Sequence, residues 1–262
     1  MNAATAEKWN GAVERSRLGS YLAQLLNTTQ VRDYCPNGLQ VEGREKIGKI
    51  VTGVTASMAM IEAAVEAGAD ALLVHHGYFW RNEDPCIVGQ KHRRIRLLLD
   101  HELNLFAYHL PLDLHTELGN NAQLALRLGL SSQSRFGEQQ LGWLGVAQHA
   151  DMKTVGDLAD MIEARLLRKP LLIGERSQTL GMIGWCTGAA QNMLPDAIAA
   201  GASAYVSGEI SEPTVHVARE AGVAYLAAGH HATERYGIQA LGNHLAAQFG
   251  LAHQFIDIDN PV

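Results

Sequence analysis

Ala67-Gly68-Ala69-Asp70-Ala71-Leu72-Leu73-Val74-His75-His76-Gly77 decides how this chain is read. Gly68 closes a helix predicted over about Ser57 to Ala67, in the position that helices commonly end on. Ala71 to Val74 is a short apolar run and reads as a buried strand. Two histidines follow directly. Side chains alternate along a strand, but a turn at Gly77 lets both rings face one cleft. A strand at Lys49 to Gly53 precedes this stretch. A helix over about His92 to Glu102 and a strand at Asn104 to His109 follow it. Strands alternating with helices predict an α/β fold. Further out, an opening helix from about Ala12 to Leu26 sets Leu18, Tyr21, Leu22, Leu25 and Leu26 on one face. Asp33 to Gly43 reads as turn-rich around Pro36-Asn37-Gly38, Pro111 to Asn121 as loop, and Asn121 to Leu128 as helix.

The quoted stretch has an echo. Thr52-Gly53, an Ala-rich helix with a Met, Ala67-Gly68-Ala69-Asp70-Ala71 and the His pair recur in order. The counterparts are Thr187-Gly188, a helix with Met193, Ala200-Gly201-Ala202-Ser203-Ala204, Tyr205-Val206 and Ser207-Gly208-Glu209. Order and spacing agree within a two-residue gap, which favours two related α/β halves. The expected domains are residues 1–128 and 129–262, with a site in the cleft between them. His75-His76 and Glu209 then occupy equivalent strand ends, where open α/β sheets bind ligands. Gly129 to Gly184 yields only one clear element, a helix from Thr154 to Leu167, with Thr154 as N-cap and Asp157 three residues on.

The 262 residues suffice for two small domains or one large one; 47% are hydrophobic and 18% charged, as in a globular protein. The net charge is -6 and no stripe of Lys and Arg forms, which argues against nucleic acid as a partner. The basic run Lys91 to Arg96 precedes Leu97-Leu98-Leu99 and reads as the wet start of a helix. Cys35, Cys86 and Cys186 are odd in number and far apart, so neither a disulfide framework nor a CxxC site is expected. Met1 to Asn10 has no apolar core of signal-peptide type, and no apolar run reaches the ~20 residues of a membrane span. A cytoplasmic protein is expected. HExxH, the P-loop, GxGxxG and GxSxG are all missing from the sequence.

The residues that could do chemistry fall in three short segments. His75 and His76 form the first. Asp113, after Pro111, forms the second. The third is Gly229-His230-His231-Ala232-Thr233-Glu234, where four-residue spacing sets His230 and Glu234 on one helix face. Imidazoles mixed with carboxylates are the donor set of a catalytic divalent-metal centre. A carboxylate such as Asp113 can bridge two ions at the separation of about 3.5–4 Å that hydrolytic two-metal sites use. His231 points elsewhere, and His109 and His115 are candidates for orienting the ligands. Asn120-Asn121 are expected to cap a helix. Taken singly, each residue also has a bland reading: a hydrogen-bonded histidine, a turn-forming aspartate, a surface His–Glu pair. Their concentration favours the metal centre.

Asp33-Tyr34-Cys35-Pro36-Asn37-Gly38-Leu39-Gln40-Val41-Glu42-Gly43, Val74-His75-His76-Gly77, His109-Leu110-Pro111-Leu112-Asp113 with Gly119-Asn120-Asn121, and the His230–Glu234 segment together resemble the type 2 GTP cyclohydrolase I family, the Nif-three-like dinuclear metal proteins. The likeness is greatest to short bacterial members without an inserted middle domain. Thr116 stands where close relatives are expected to carry proline. The resemblance implies two related α/β domains of the Nif-three-like fold and a toroidal homohexamer. It also implies two divalent ions per chain, zinc, iron, manganese or nickel, held by His75, His76, Asp113, His230 and Glu234. Asp113 and Glu234 would bridge them. The implied activity is a hydrolase in which metal-activated hydroxide attacks the guanine ring of GTP or a similar small molecule and releases formate, with His231 or His115 shuttling protons. Arg81, Lys91, Arg93 and Arg235 are candidates to meet the triphosphate. A phosphoesterase using the same centre, or a non-enzymatic metal-binding hexameric scaffold, is the alternative.

Overall fold

The computed structural model describes residues 11–262, so the reading of Met1 to Asn10 lies outside the described residues. Among the described residues no helix is long and apolar enough to cross a membrane. The fold is mixed α/β and separates into two compact units. The first holds the described residues up to Pro111 together with Ile238–Ile258; the second holds Leu112–Gly237 and Asp259–Val262. This differs from the single break expected after residue 128. The chain returns to the first unit near its end, and Asp113 belongs to the second unit.

The first unit runs β1 (Val13–Glu14), α1 (Arg15–Leu25), β2 (Gly38–Val41), β3 (Lys46–Ile47), β4 (Lys49–Thr55), α2 (Met58–Glu66), β5 (Ala71–His76), α3 (Gly89–Asp100) and β6 (Asn104–Ala107). It closes with β13 (Ala252–Phe255). Its main sheet has the order β13-β4-β5-β6-β2; β2 runs antiparallel to β6, and all the other pairs are parallel. β1 and β3 pair separately. β4, β5 and β6 are nearly continuous apolar runs, as strands covered on both faces must be. Val51, Leu72, Val74 and Leu105 pack with Met60, Ile61 and Ala64 of α2 and Ile95 and Leu98 of α3. Ser57 starts α2 by accepting the Met60 amide at 3.2 Å.

In the second unit come α4 (Leu110–Leu114, which straddles the division), α5 (Asn120–Leu128), β7 (Leu130–Phe136), β8 (Gly142–Ala147), α6 (Val155–Leu166), β9 (Leu171–Ile173), β10 (Ile183–Trp185), α7 (Leu194–Ala199), β11 (Ala204–Ser207), α8 (Glu212–Ala221), β12 (Ala224–Ala227) and the start of α9 (His230–Phe249), which passes into the first unit at Ile238. The sheet order is β7-β8-β10-β11-β12-β9. β10, β11 and β12 are parallel, and β9 is antiparallel to β12. Thr154 and Asp157 form the expected capping box of α6.

The suspected repeat is visible in this topology. α1-β2-β4-α2-β5-α3-β6 and α6-β9-β10-α7-β11-α8-β12 have the same order and the same strand directions. Ile50 faces Ala71 as Ile183 faces Ala204, so strand register aligns the two halves two residues away from the Thr52–Thr187 match. That offset is the gap seen in the sequence.

Three local expectations need correction. Asp33 to Gly43 contains the edge strand β2, and Pro111 to Asn121 contains α4. Gly129 to Gly184 takes in β7, β8, β9 and the start of β10, of which β7 is mostly polar and β9 and β10 are three residues each. Strands so short or so polar carry little periodicity.

Asn104 anchors the first unit. Buried at the start of β6, it donates to the carbonyls of Arg44 (2.8 Å) and Asp70 (3.0 Å), and its Oδ1 accepts the Gly43 amide at 2.9 Å. Asn104→Ala leaves these backbone groups without their partner, and thermal or urea unfolding should show a loss of roughly 1–3 kcal/mol.

Candidate metal centre

In the first unit the site grows from the end of β5. His75 is fully buried and donates from Nδ1 to the carbonyl of Tyr108 at 2.9 Å. A carbonyl can only accept, so the hydrogen sits on Nδ1 and the lone pair on Nε2. His76 is half-buried, its Nδ1 3.2 Å from Thr55 Oγ1. Although adjacent in the strand, the two rings approach to 4.5 Å between centroids at 46°. Gly77 is needed immediately after them, because a Cβ there would collide with Gln40 Oε1 and Ala107 Cβ. That Gln40 oxygen accepts the Tyr78 amide at 2.7 Å and so fixes the turn.

His109, just past β6, joins the pair, with its ring 5.0 Å from that of His75 and 5.7 Å from that of His76. One ring nitrogen from each of the three lies within 4.8 Å of the others. The Asp33–Gly43 segment supplies the brace. Asp33 Oδ1 accepts from His109 Nδ1 (2.9 Å) and the Tyr34 amide (2.7 Å); Oδ2 accepts from Asn37 Nδ2 and the Leu110 amide, both at 2.9 Å. Asn37 Oδ1 accepts the His109 amide at 2.8 Å. Burial would raise the Asp33 carboxyl, but His109, Asn37 and the Tyr34 amide outweigh it and hold the group below its ordinary pKa.

In the second unit a separate group of candidate residues lies at the carboxyl ends of β10, β11 and β12 and the start of α9. His230 opens α9 with both nitrogens engaged, Nδ1 at 2.7 Å from Glu209 Oε1 and Nε2 at 3.0 Å from Glu234 Oε2. Burial disfavours its charged form, yet Glu234 and then Glu209 raise its pKa to about 9. Glu234 itself is buried. Gly188 has a positive φ of 67°, and a Cβ there would collide with Glu234 Oε1. Gly208 is equally confined, since its Cβ would stand 2.6 Å from His230 Cα. The Gly188 amide donates to Thr233 Oγ1 at 3.1 Å, and its carbonyl accepts the Gly208 and Glu209 amides at 2.9 and 3.2 Å. The loops after β10 and β11 are thereby tied to the first turn of α9.

Asp113 is buried in α4. Its Oδ1 accepts from Asn120 Nδ2 at 2.7 Å and Thr187 Oγ1 at 3.4 Å. The two asparagines do not cap α5, whose N-cap is Gly119 with no side-chain bond. Asn120 orients the Asp113 carboxylate. Asn121 accepts the Thr187 amide at 3.0 Å and donates to the Asp113 carbonyl at 3.3 Å. The Cys186 thiol is pushed up by burial first, then by the charges of Asp113 and Glu234, which puts both carboxylates in its surroundings.

The residues expected from the sequence therefore fall into two internally ordered groups. His75, His76 and His109 gather in the first unit; Asp113, His230 and Glu234 gather in the second. His115 uses Nδ1 to accept the Glu117 and Leu118 amides at 3.2 and 3.0 Å. His231 is buried, and its amide donates to the Val262 carbonyl at 3.0 Å. Three of the four cations suggested for a triphosphate have structural partners. Arg81 donates to the Asp33 carbonyl, Lys91 pairs with Glu83, and Arg235 donates to the Leu166 carbonyl. Arg93 lies exposed on α3. Residue-by-residue reading gave no role to Asp33, Asn37 or Thr187; the signal for Asp33 and Asn37 was their place in a motif segment, and for Thr187 its place in the repeat.

The donor set fits divalent cations. Two buried carboxylates favour cationic company. The rings of His75, His109 and His230 each have one nitrogen hydrogen-bonded to a backbone carbonyl or a carboxylate, the bracing that metal-binding histidines show. A Cβ at Gly188 would collide with Glu234 Oε1, so glycine at this position is what lets the Glu234 carboxylate and His230 stand where they do.

Comparison with known proteins shows the family and the fold. A protein of Pseudomonas aeruginosa named GTP cyclohydrolase 1 type 2 homolog is 50% identical over 253 residues, covering 95% of this chain and 99% of its own. An Escherichia coli protein of the same name is 47% identical, covering 95% of this chain and 100% of its own. Among solved structures, one described as protein ybgI, of unknown function, superposes with a TM-score of 0.90 at 46% identity, covering 95% of this chain and 100% of that one. TTHA1606 from Thermus thermophilus does so at 0.80 and 32% identity, covering 95% and 100%. The profile of one family matches residues 13–261, nearly the whole chain, and on that match the protein is a member of the Duf34/NIF3 (NGG1p interacting factor 3) family.

Proposed function

We propose that this protein is a dinuclear-metal-dependent hydrolase that acts on a nucleotide ring or a similar small molecule. His75, His76, Asp113, His230 and Glu234 are its ligands for two divalent ions, with Asp113 and Glu234 bridging. The observation that carries the reading is the preset of the ligand side chains. His75 is held by Tyr108, His230 by Glu209 and Asp113 by Asn120. Such bracing orients ligands and raises their basicity. The names of the relatives support the substrate class.

When bound, divalent ions supply an acidified water and an electrophilic centre for the substrate. The chain's own residues do the rest. Asn120 and Thr187 hold the Asp113 carboxylate in one orientation. Glu209 keeps a proton on His230 Nδ1, so that Nε2 presents the lone pair once its own proton has left. His115, with Nδ1 accepting two amides, exchanges protons only through Nε2; it and His231 are the proton carriers of the proposal. Exposed Ile87 and Val88 in the first unit, and Leu126, Leu167 and Leu171 in the second, give apolar surface for a homohexamer to cover.

Metal content and GTP turnover, measured together on reconstituted protein, test this reading. Two ions per chain with formate release are expected, and both should vanish in a His75→Ala, Glu234→Ala variant; full metal content in that variant refutes the ligand set. Glu209→Gln should weaken metal binding by about 10–100-fold without unfolding the chain. Chelation should abolish turnover yet leave the far-UV circular dichroism in place, because apolar clusters hold each unit together. Melting on chelation would mark a structural site instead. Sedimentation should give the mass of six chains.

A further inference from the structure

We propose that His109 is a further metal-binding residue, forming with His75 and His76 a three-imidazole site. The proposal rests on the metal-centre reading above and adds a residue to it.

Three observations converge on His109. The first is proximity: one nitrogen from each of the three rings lies within 4.8 Å of the others, close enough for an ion to draw them together. The second is the hydrogen position. Asp33, which is ionised and can only accept, takes the Nδ1 hydrogen of His109 at 2.9 Å, so the lone pair lies on Nε2. His75 is in the same state through the Tyr108 carbonyl. Consecutive residues at the end of β6 thus provide the acceptor for one imidazole and the body of the next. A histidine that donates one nitrogen to a carboxylate and keeps the other for an ion is the usual form of a metal ligand.

Rigidity is the third observation. The His109 amide is held by Asn37 and the following amide by Asp33, and the ring centroid lies 4.9 Å from that of Trp80 and 5.6 Å from that of Tyr34. Locked ligands lose little freedom when an ion arrives.

A rival grouping shares one of these residues. Asp33, Cys35 and His109 also bring ligand atoms within 4.8 Å of one another. Both Asp33 oxygens, however, already accept two hydrogen bonds each. That grouping has no carboxylate lone pair to give, because all four acceptor positions of Asp33 are taken. Asp33 is instead a positioning residue acting through His109.

The test is a cobalt(II) titration of the full-length apoprotein against a competing chelator, read by affinity and by the cobalt d–d absorption band. His109→Ala should weaken binding at one site by about 100-fold or more and change the band, as water replaces a nitrogen donor. His109→Gln should do the same while its amide can still donate to Asp33, so loss of the brace is not the cause. Asp33→Asn should weaken binding by about 10–100-fold and keep the band shape, because the imidazole remains. His216→Ala, on the surface beside Glu212, is the unaffected reference. Binding within twofold of wild type and an unchanged band in both His109 variants, with cobalt lost from His75→Ala, would sink this inference and leave the proposed function standing. Cobalt retained by His75→Ala as well would sink both.

Discussion

Tyr108 offers the ring of His75 nothing but a carbonyl oxygen, and the 2.9 Å bond between them sets the chemistry of the first unit. It fixes which nitrogen carries hydrogen, and therefore which carries the lone pair. The bond exists because β5 and β6 lie parallel with Val74 opposite Ala107. That register in turn depends on two strands buried on both faces, with α2 and α3 packed in the same cluster. A slip of one residue would turn His75 to the other face of the sheet and leave the carbonyl unmatched. Local propensity, sheet register and the orientation of the His75 ring are therefore one constraint seen at three scales.

The second unit applies the same topology to different chemistry. Its strand ends deliver Gly188, Glu209 and His230 where the first unit delivers two imidazoles and His109. Glu209 stands near the position of His76 in the repeat, yet it serves as a hydrogen-bond partner to His230. The glycines of these loops explain how so many groups converge. Gly188 and Gly208 remove the side chains that would otherwise fill the space beside Glu234 and His230. A duplicated frame leaves the loops after its strands open to change while the strands themselves stay fixed, since the core constrains one and not the other.

Much of this could be read from the sequence, and the exceptions follow a pattern. Long periodic helices and apolar parallel strands were legible: the region from Lys49 to Ala107, the capping box at Thr154, and the four-residue step from His230 to Glu234. The repeat was legible too, down to its two-residue offset. Strands that are short, polar or at an edge were not, because β2, β7, β9 and β10 take their shape from neighbours and not from their own periodicity. Asn120 and Asn121 misled for a related reason. Their type suits a helix cap, but a buried carboxylate seven residues away claims the Asn120 side chain first. The role of Asp33 lay in a loop whose pairing with His109 spans 76 positions, a relation that no local pattern encodes.

The division of the chain has a consequence for its synthesis. α9 begins in the second unit and ends in the first, and β13 then pairs with β4. The first unit to be translated is therefore among the last to be finished. β4 waits for its outer neighbour until Phe255 has left the ribosome, some two hundred residues after β4 itself was made. Until then that edge presents unpaired backbone groups, the kind of surface that draws partly made chains into aggregates. The second unit, whose sheet is complete by Ala227, has no such wait for its strands. On the ribosome, the half that starts later closes its sheet first.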